Sequence, residues 1–239
     1  MLRIHLLRLD KFISNASDYS RTQVKKLVKE KRVKVNGEVT TNPATPILET
    51  AKVCLDDAPI ALPGPRYFML NKPENVVSAT KDSEHTTAID LIHEPRPEQL
   101  QIAGRLDLDT TGLVLITDNG QWNHSITSPR SNCRKTYDIK VSEPLTPDLI
   151  KKFYEGIWLD GEKRRCLPAD LKILDDQHAL LTISEGKYHQ VKRMFAALGN
   201  HVIQLHRLKI GGITLDPALG FGSYRPLTQQ EIESIQQRD

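Results

Sequence analysis

Cysteine is scarce: Cys54, Cys133 and Cys166 are the only three in 239 residues. An odd, widely spaced set gives neither a disulfide framework nor a C-x-x-C zinc pattern, so a reducing cytoplasm is the expected home. Long apolar runs are also lacking. No stretch approaches the ~20 residues that a membrane span needs, and the opening MLRIHLLRLDKF breaks its short apolar run with Arg3, His5 and Arg8. Neither membrane insertion nor secretion is expected. The chain carries no P-loop and no G-x-G-x-x-G, hence no case for a nucleotide cofactor. His201 and His206, five apart, form no ligand set of recognised spacing, so no metal is expected. Charge of one sign is the last thing missing, since 33 Lys plus Arg against 30 Asp plus Glu leave only +3.

That average conceals an asymmetry. Residues 1–50 hold 10 basic and 5 acidic residues, or +5, and residues 51–239 hold 23 and 25, or −2. With 38% hydrophobic residues the chain can bury a real core, and the split suggests a small basic module ahead of a larger neutral body. Asp56-Asp57-Ala58-Pro59 followed by Leu62-Pro63-Gly64-Pro65 reads as a loop-forming boundary, giving a module over 1–60 and a body over 61–239.

In the module, Ser20-Arg21-Thr22-Gln23 has the form of a capping box and predicts a helix to about Lys31, with Val24, Leu27 and Val28 as its buried stripe. Arg21, Lys25, Lys29 and Arg32 would line one face. Val33-Lys34-Val35 and Glu38-Val39-Thr40 flank Asn36-Gly37, a strong hairpin signal. The plain interpretation of the stripe is a solvated charged face. A separate basic module raises the alternative that Arg21, Lys25, Lys29, Arg32 and Lys34 grip phosphates, which attract such surfaces irrespective of sequence. Leu9-Asp10-Lys11-Phe12-Ile13, Ser20-Arg21 and Val33-Lys34-Val35-Asn36-Gly37 resemble the S4 domain, and that resemblance implies RNA binding without any chemistry.

The body predicts strands at Tyr67–Leu70, Gly112–Thr117, Thr136–Val141, Ala179–Ile183 and Val202–Ile210. Helices are predicted from Asp148 to about Glu155, from Tyr188 to Leu198, and after the capping box of Thr228 with Glu231. Hairpin-like turns at Asp118-Asn119-Gly120, Asp160-Gly161 and Gly211-Gly212 favour an α+β fold with a largely antiparallel central sheet flanked by helices.

Two segments concentrate chemistry. Gly104 to Gly120 places Asp107 and Asp109 in a loop that leads into an apolar strand. Three interpretations stand: local turn hydrogen bonds, a D-x-D metal site of a sugar-nucleotide transferase, or a single catalytic carboxylate acting on a sugar-linked substrate. Ile183 to Val202 gathers Lys187, His189, Lys192 and Arg193 near a helix start. Such cations can be a wet helix face over a core of Val191, Met194, Phe195 and Leu198, or can pair with a carboxylate and steer phosphates.

Four segments in this order resemble the pseudouridine synthases, in the RsuA-type branch that acts on small-subunit ribosomal RNA. They are Tyr67-Phe68-Met69-Leu70-Asn71-Lys72-Pro73; Gly104-Arg105-Leu106-Asp107 with Thr110-Thr111-Gly112-Leu113; Lys135-Thr136-Tyr137; and Glu185-Gly186-Lys187-Tyr188-His189-Gln190-Val191-Lys192-Arg193-Met194. The resemblance implies that Asp107 is the catalytic carboxylate, Tyr137 the aromatic beside the target base and Lys192 the basic partner of Asp107. It further implies that Leu113 belongs to the apolar wall under the base, that Arg105 supports the space left by the displaced nucleotide, and that Asn71 and Lys72 contact substrate. The reaction would isomerise uridine without cofactor, after base flipping, on small-subunit (16S) ribosomal RNA or an assembly intermediate. Large-subunit or transfer RNA remains an alternative target, and a non-catalytic assembly factor an alternative function. A cytoplasmic monomer is expected.

Overall fold

The computed structural model describes residues 6–235. The chain divides into two compact units, 1–64 and 65–239, taken here one at a time.

The first unit contains β1 (Leu6–Arg8), α1 (Leu9–Ala16), α2 (Arg21–Lys29), β2 (Val33–Val35), β3 (Glu38–Val39), β4 (Pro46–Leu48), β5 (Val53–Leu55) and β6 (Ala58–Ile60). Ser20 caps α2 through the predicted capping box, with Ser20 Oγ accepting from the Gln23 amide and Gln23 Oε1 accepting from the Ser20 amide. Val24, Leu27 and Val28 pack with Leu9, Phe12 and Ile13 against β2 and β5. Asn36 and Gly37 take positive φ angles of 51° and 91°, the type I′ geometry that Asn-Gly supplies cheaply, and β2 and β3 pair as a hairpin.

Two expectations change here. Helix α2 stops at Lys29 because Lys31 turns left-handed (φ 62°), so Arg32 lies beyond the helix and off the stripe of Arg21, Lys25 and Lys29. The Asp56–Pro59 segment is not a loop. Asp56 and Asp57 form the tight turn between β5 and β6, within a four-stranded antiparallel sheet of order β3-β2-β5-β6.

The second unit contains β7 (Tyr67–Lys72), β8 (Gln101–Ala103), β9 (Thr111–Thr117), α3 (Gly120–Thr127), β10 (Lys135–Val141), α4 (Asp148–Glu155), β11 (Asp170–Asp175), β12 (His178–Ile183), α5 (Gln190–Ala196), β13 (Val202–Ile210), β14 (Ile213–Thr214), β15 (Tyr224–Pro226) and α6 (Gln229–Ser234). Its sheet runs β11-β12-β10-β13-β9-β7-β15, with β14 on β13 and β8 on β9. Every pairing is antiparallel except β13 with β9, so the expected α+β class with a largely antiparallel sheet holds.

Alternation along the strands sends side chains to two cores. On β9, Val114 and Ile116 join Leu70, Ile139, Leu181, Phe153 and Phe195 in the larger core, while Leu113 and Leu115 join Met69, Trp122 and Ile210 in the smaller one. The five predicted strands all form. Asp118-Asn119-Gly120 does not make a hairpin, because Asn119 Oδ1 accepts from the amides of Gln121 and Trp122 and caps α3 instead. Helix α5 is shorter than predicted, opening at Gln190 after His189 turns left-handed (φ 46°).

Candidate active site

The Asp107 loop enters β9, and its backbone is tied down group by group. Buried Arg207 of β13 donates from Nη2 to the Gly104 carbonyl (2.8 Å), from Nη1 to the Arg105 carbonyl (3.2 Å) and from Nε to the Leu113 carbonyl (2.7 Å). Ser78 Oγ donates to the Leu106 carbonyl (2.8 Å) and accepts from the Leu106 amide (2.9 Å). The Asp107 carbonyl accepts from the Thr110 amide, and that of Leu108 from the Asn75 amide and Lys72 Nζ. A loop whose backbone groups are paired with buried side chains has little freedom to move. Gly112 is required alongside: it has φ +103°, and a Cβ there would lie 2.4 Å from the Arg207 carbonyl oxygen.

This loop, β10 and the segment 183–192 enclose a cavity of about 590 Å³, a size that suits a nucleotide. Asp107, Tyr137, Lys192, Arg105, Lys187 and His189 all line it, drawn from three separate stretches of sequence. Tyr137 is only 8% exposed. Ile102, Leu106, Ile126, Ile183, Val191 and Leu205 supply apolar wall. Thr110 also lines it, and its buried Oγ1 has no hydrogen-bond partner.

Lys192 sits differently from expectation. Its Nζ lies 2.5 and 2.7 Å from the two carboxylate oxygens of Asp109, and 4.0 Å from Asp107 Oδ2. The hydrogen bond from Lys192 holds the Asp109 carboxyl below the usual carboxylate range. Asp107 has His189 Nε2 as its nearer cation candidate, 3.5 Å from Oδ1. The His189 ring stacks on Tyr188 with centroids 3.8 Å apart, and three-quarters of Tyr188 is exposed at the cavity. Asp107 and Asp109 thus face a lysine and a histidine, an environment opposite to that of a D-x-D metal site, which needs further oxygen ligands. Among the described residues no group of three or more His, Cys, Asp or Glu side chains is placed to hold a metal ion.

Three residues expected to meet substrate do not line the cavity. Leu113 points to the smaller core, because on β9 the odd-numbered side chains face away from Tyr137. Asn71 donates from Nδ2 to the Leu219 carbonyl (2.7 Å) and fastens that loop. Lys72 is fully buried and donates to the carbonyls of Pro73, Val76 and Leu108, so it braces the Asp107–Asp109 loop from beneath.

Burial drives the Lys72 pKa down to about 8. The folded value lies below the ordinary 10.5, so between those limits the unfolded chain holds the proton more tightly and the Lys72 contribution to stability rises with pH. Urea titrations of wild type and Lys72→Met should therefore show a difference that grows in favour of wild type from pH 8 to 10. A difference independent of pH contradicts the assignment.

The remaining cations are mostly committed. Arg193 lies outside the cavity lining and bonds Glu162 Oε1 (3.2 Å) and the carbonyls of Asp160 (2.6 Å) and Tyr188 (3.2 Å). Lys187 pairs with Glu162 at 3.2 Å. In the first unit Arg32 pairs with Asp56 and Lys34 with Asp57, each at 2.5 Å, while Arg21, Lys25 and Lys29 stand exposed on α2. The sequence alone does not mark Arg207 or Ser78 as part of the site, and it gives Tyr188, although inside the fourth motif, no role of its own. Arg207 carried a faint signal, a cation inside the apolar run Leu205–Ile210.

The RNA pseudouridylate synthase family model matches residues 66–197, and the S4 domain model matches residues 7–53. The ribosomal small subunit pseudouridine synthase A of Escherichia coli K12 is 50% identical over 96% of this chain and 100% of its own length. The protein of that name from Vibrio cholerae is 48% identical over 96% and 99%. A crystal structure of a pseudouridylate synthase, 47% identical, superposes with a TM-score of 0.70 over 96% of this chain and 99% of that one. The chain belongs to the RNA pseudouridine synthase family, with an S4 domain at its N-terminal end.

Proposed function

We propose that the protein converts a uridine of small-subunit ribosomal RNA to pseudouridine, with Asp107 as its catalytic carboxylate. The observation that carries this is the meeting of Asp107, Tyr137 and Lys192 in one nucleotide-sized cavity, with Asp107 on a loop whose carbonyls are held by Arg207, Ser78 and Lys72. The small-subunit target rests on relatives of that name at about half identity over nearly the whole chain.

The reaction breaks the bond between ribose C1′ and uracil N1, turns the base, joins C1′ to C5, releases the C5 proton to water and places a proton from water on the freed N1. Atoms and electrons balance, so neither cofactor nor metal is required. Asp107 acts in its charged form on a ribose or base carbon, or on a ribose proton. A paired uridine hides its glycosidic bond, so it must be extruded, at a cost of a few kcal/mol in unstacking. Stacking on Tyr137 or on exposed Tyr188 would return ~1–3 kcal/mol. Arg105 lies at the cavity edge to support the vacated space, and Thr110 Oγ1 is an unspent polar group for the uracil. Lys192, parked on Asp109, can swing to a substrate phosphate or to Asp107. The exposed Arg21, Lys25 and Lys29 stripe would add RNA affinity that weakens as salt rises.

Mapping pseudouridines in ribosomal and transfer RNA from a strain lacking the gene tests the target. One small-subunit position should revert to uridine and return on complementation. An unchanged small-subunit map with a lost site elsewhere would reassign the substrate.

A further inference from the structure

On the opposite face of the sheet from Tyr137, a second cavity of about 1220 Å³ opens at the same strand ends. Its floor is a polar row fixed by register: Asp170 on β11, Thr182 on β12, Thr136 on β10 and Lys209 on β13 are successive cross-strand partners. Thr136 Oγ1 and Thr182 Oγ1 lie 2.9 Å apart. The layer of α3 and α6 that covers the rest of this sheet face contributes Ser125 and Ser234 at the rim.

Among the described residues the lining carries three cations, Arg130, Arg134 and Lys209, against one carboxylate, Asp170, whose charge is already paired with Arg134. Arg130 and Lys209 are exposed, and among the described residues no carboxylate pairs with either. Among the described residues no aromatic side chain lines the cavity, so these residues offer nothing on which to stack a base. Unspent cations among hydroxyls suit a phosphodiester backbone, which such groups position without reading sequence.

The two cavities adjoin at one edge of the sheet. Ser184 lines both, and Pro129 in the wall of the first is followed directly by Arg130 in the wall of the second. A nucleotide extruded into the first cavity remains joined to its neighbours, and its backbone must leave over that shared rim. We propose that this groove binds the backbone of the RNA strand that flanks the target nucleotide on one side, an inference that rests on the function proposed above.

The test compares wild type with the double variant Arg130→Ala/Lys209→Ala, using an RNA fragment that holds the target uridine and fragments shortened on either side. With the full fragment the variant should show KM raised about tenfold and kcat within about twofold. The slope of log affinity against log salt, read by equilibrium binding, should fall by about 1.5 for two lost phosphate contacts. Shortening one flank should weaken wild type and leave the variant nearly unaffected. An unchanged salt slope, or equal losses from both proteins on shortening, overturns the groove. The binding slope is read without turnover, so a wild type that binds but does not isomerise would sink the proposed function while leaving this test standing.

Discussion

Asp107→Asn protein is expected to fold, to bind ribosomal RNA as tightly as wild type, and to lose at least about a thousandfold in the rate of tritium release from C5-labelled uridine. The substitution keeps the side-chain shape and removes the charge. The Asp107 side chain makes no hydrogen bond that the fold depends on, and the loop is held through its backbone by Arg207, Ser78, Asn75 and Lys72. Stability and catalysis are thus separable at this position. Asp109→Asn is the control: it removes the stronger partner of Lys192 and leaves Asp107 in place. Retained activity in folded Asp107→Asn, with loss in Asp109→Asn, would transfer the catalytic role to the second carboxylate.

The second large effect is expected at Arg207. Arg207 is 2% exposed and its guanidinium satisfies three backbone carbonyls. Arg207→Met fills similar volume but leaves those carbonyls unpaired, at about 1–3 kcal/mol each, so a total loss of about 4 kcal/mol is expected in urea denaturation. Such a variant can fail to fold. Arg207→Lys keeps the charge without the planar fork and reaches fewer carbonyls. It should remain folded, with kcat down about tenfold and KM within about twofold, as expected when a residue positions the reacting group without gripping substrate. Loss confined to KM would contradict this role.

Regular structure was largely legible because the strands are rich in β-branched and apolar residues, continuous in β9 and alternating with polar ones in β10 and β13, and the caps are strong local signals. Ser20 with Gln23 and Thr228 with Glu231 both form their capping boxes. Failures arose where one signal serves two structures. Asn119-Gly120 suits a hairpin and a helix N-terminus equally, and the apolar segment after it, with Trp122 and Ile126 facing the smaller core, decided for the helix. The resemblance implies a Leu113 wall under the base, yet the face of β9 that Leu113 occupies puts it in the smaller core. Register alone settles that. The pairing of Lys192 with Asp109, 83 residues away, depends on where a loop and a helix meet, and neither stretch encodes it locally. Asn71 and Lys72 were taken for substrate contacts, whereas burial turned both into braces for neighbouring loops.

Charge shows the same division between local and assembled information. The excess of the first fifty residues is visible in composition, yet Arg32 and Lys34 spend theirs on Asp56 and Asp57, leaving Arg21, Lys25 and Lys29 on α2 as the exposed stripe. In the second unit, a nearly neutral composition hides cations concentrated around two adjoining cavities.

The most direct measurement is the pseudouridine content of small-subunit ribosomal RNA, taken from a strain lacking the gene and incubated with the purified protein without added cofactor. The account predicts one new pseudouridine at a single position, formed in stoichiometric amount and absent with Asp107→Asn. Tight binding to that RNA with no pseudouridine formed would contradict it and identify an RNA-binding assembly factor instead.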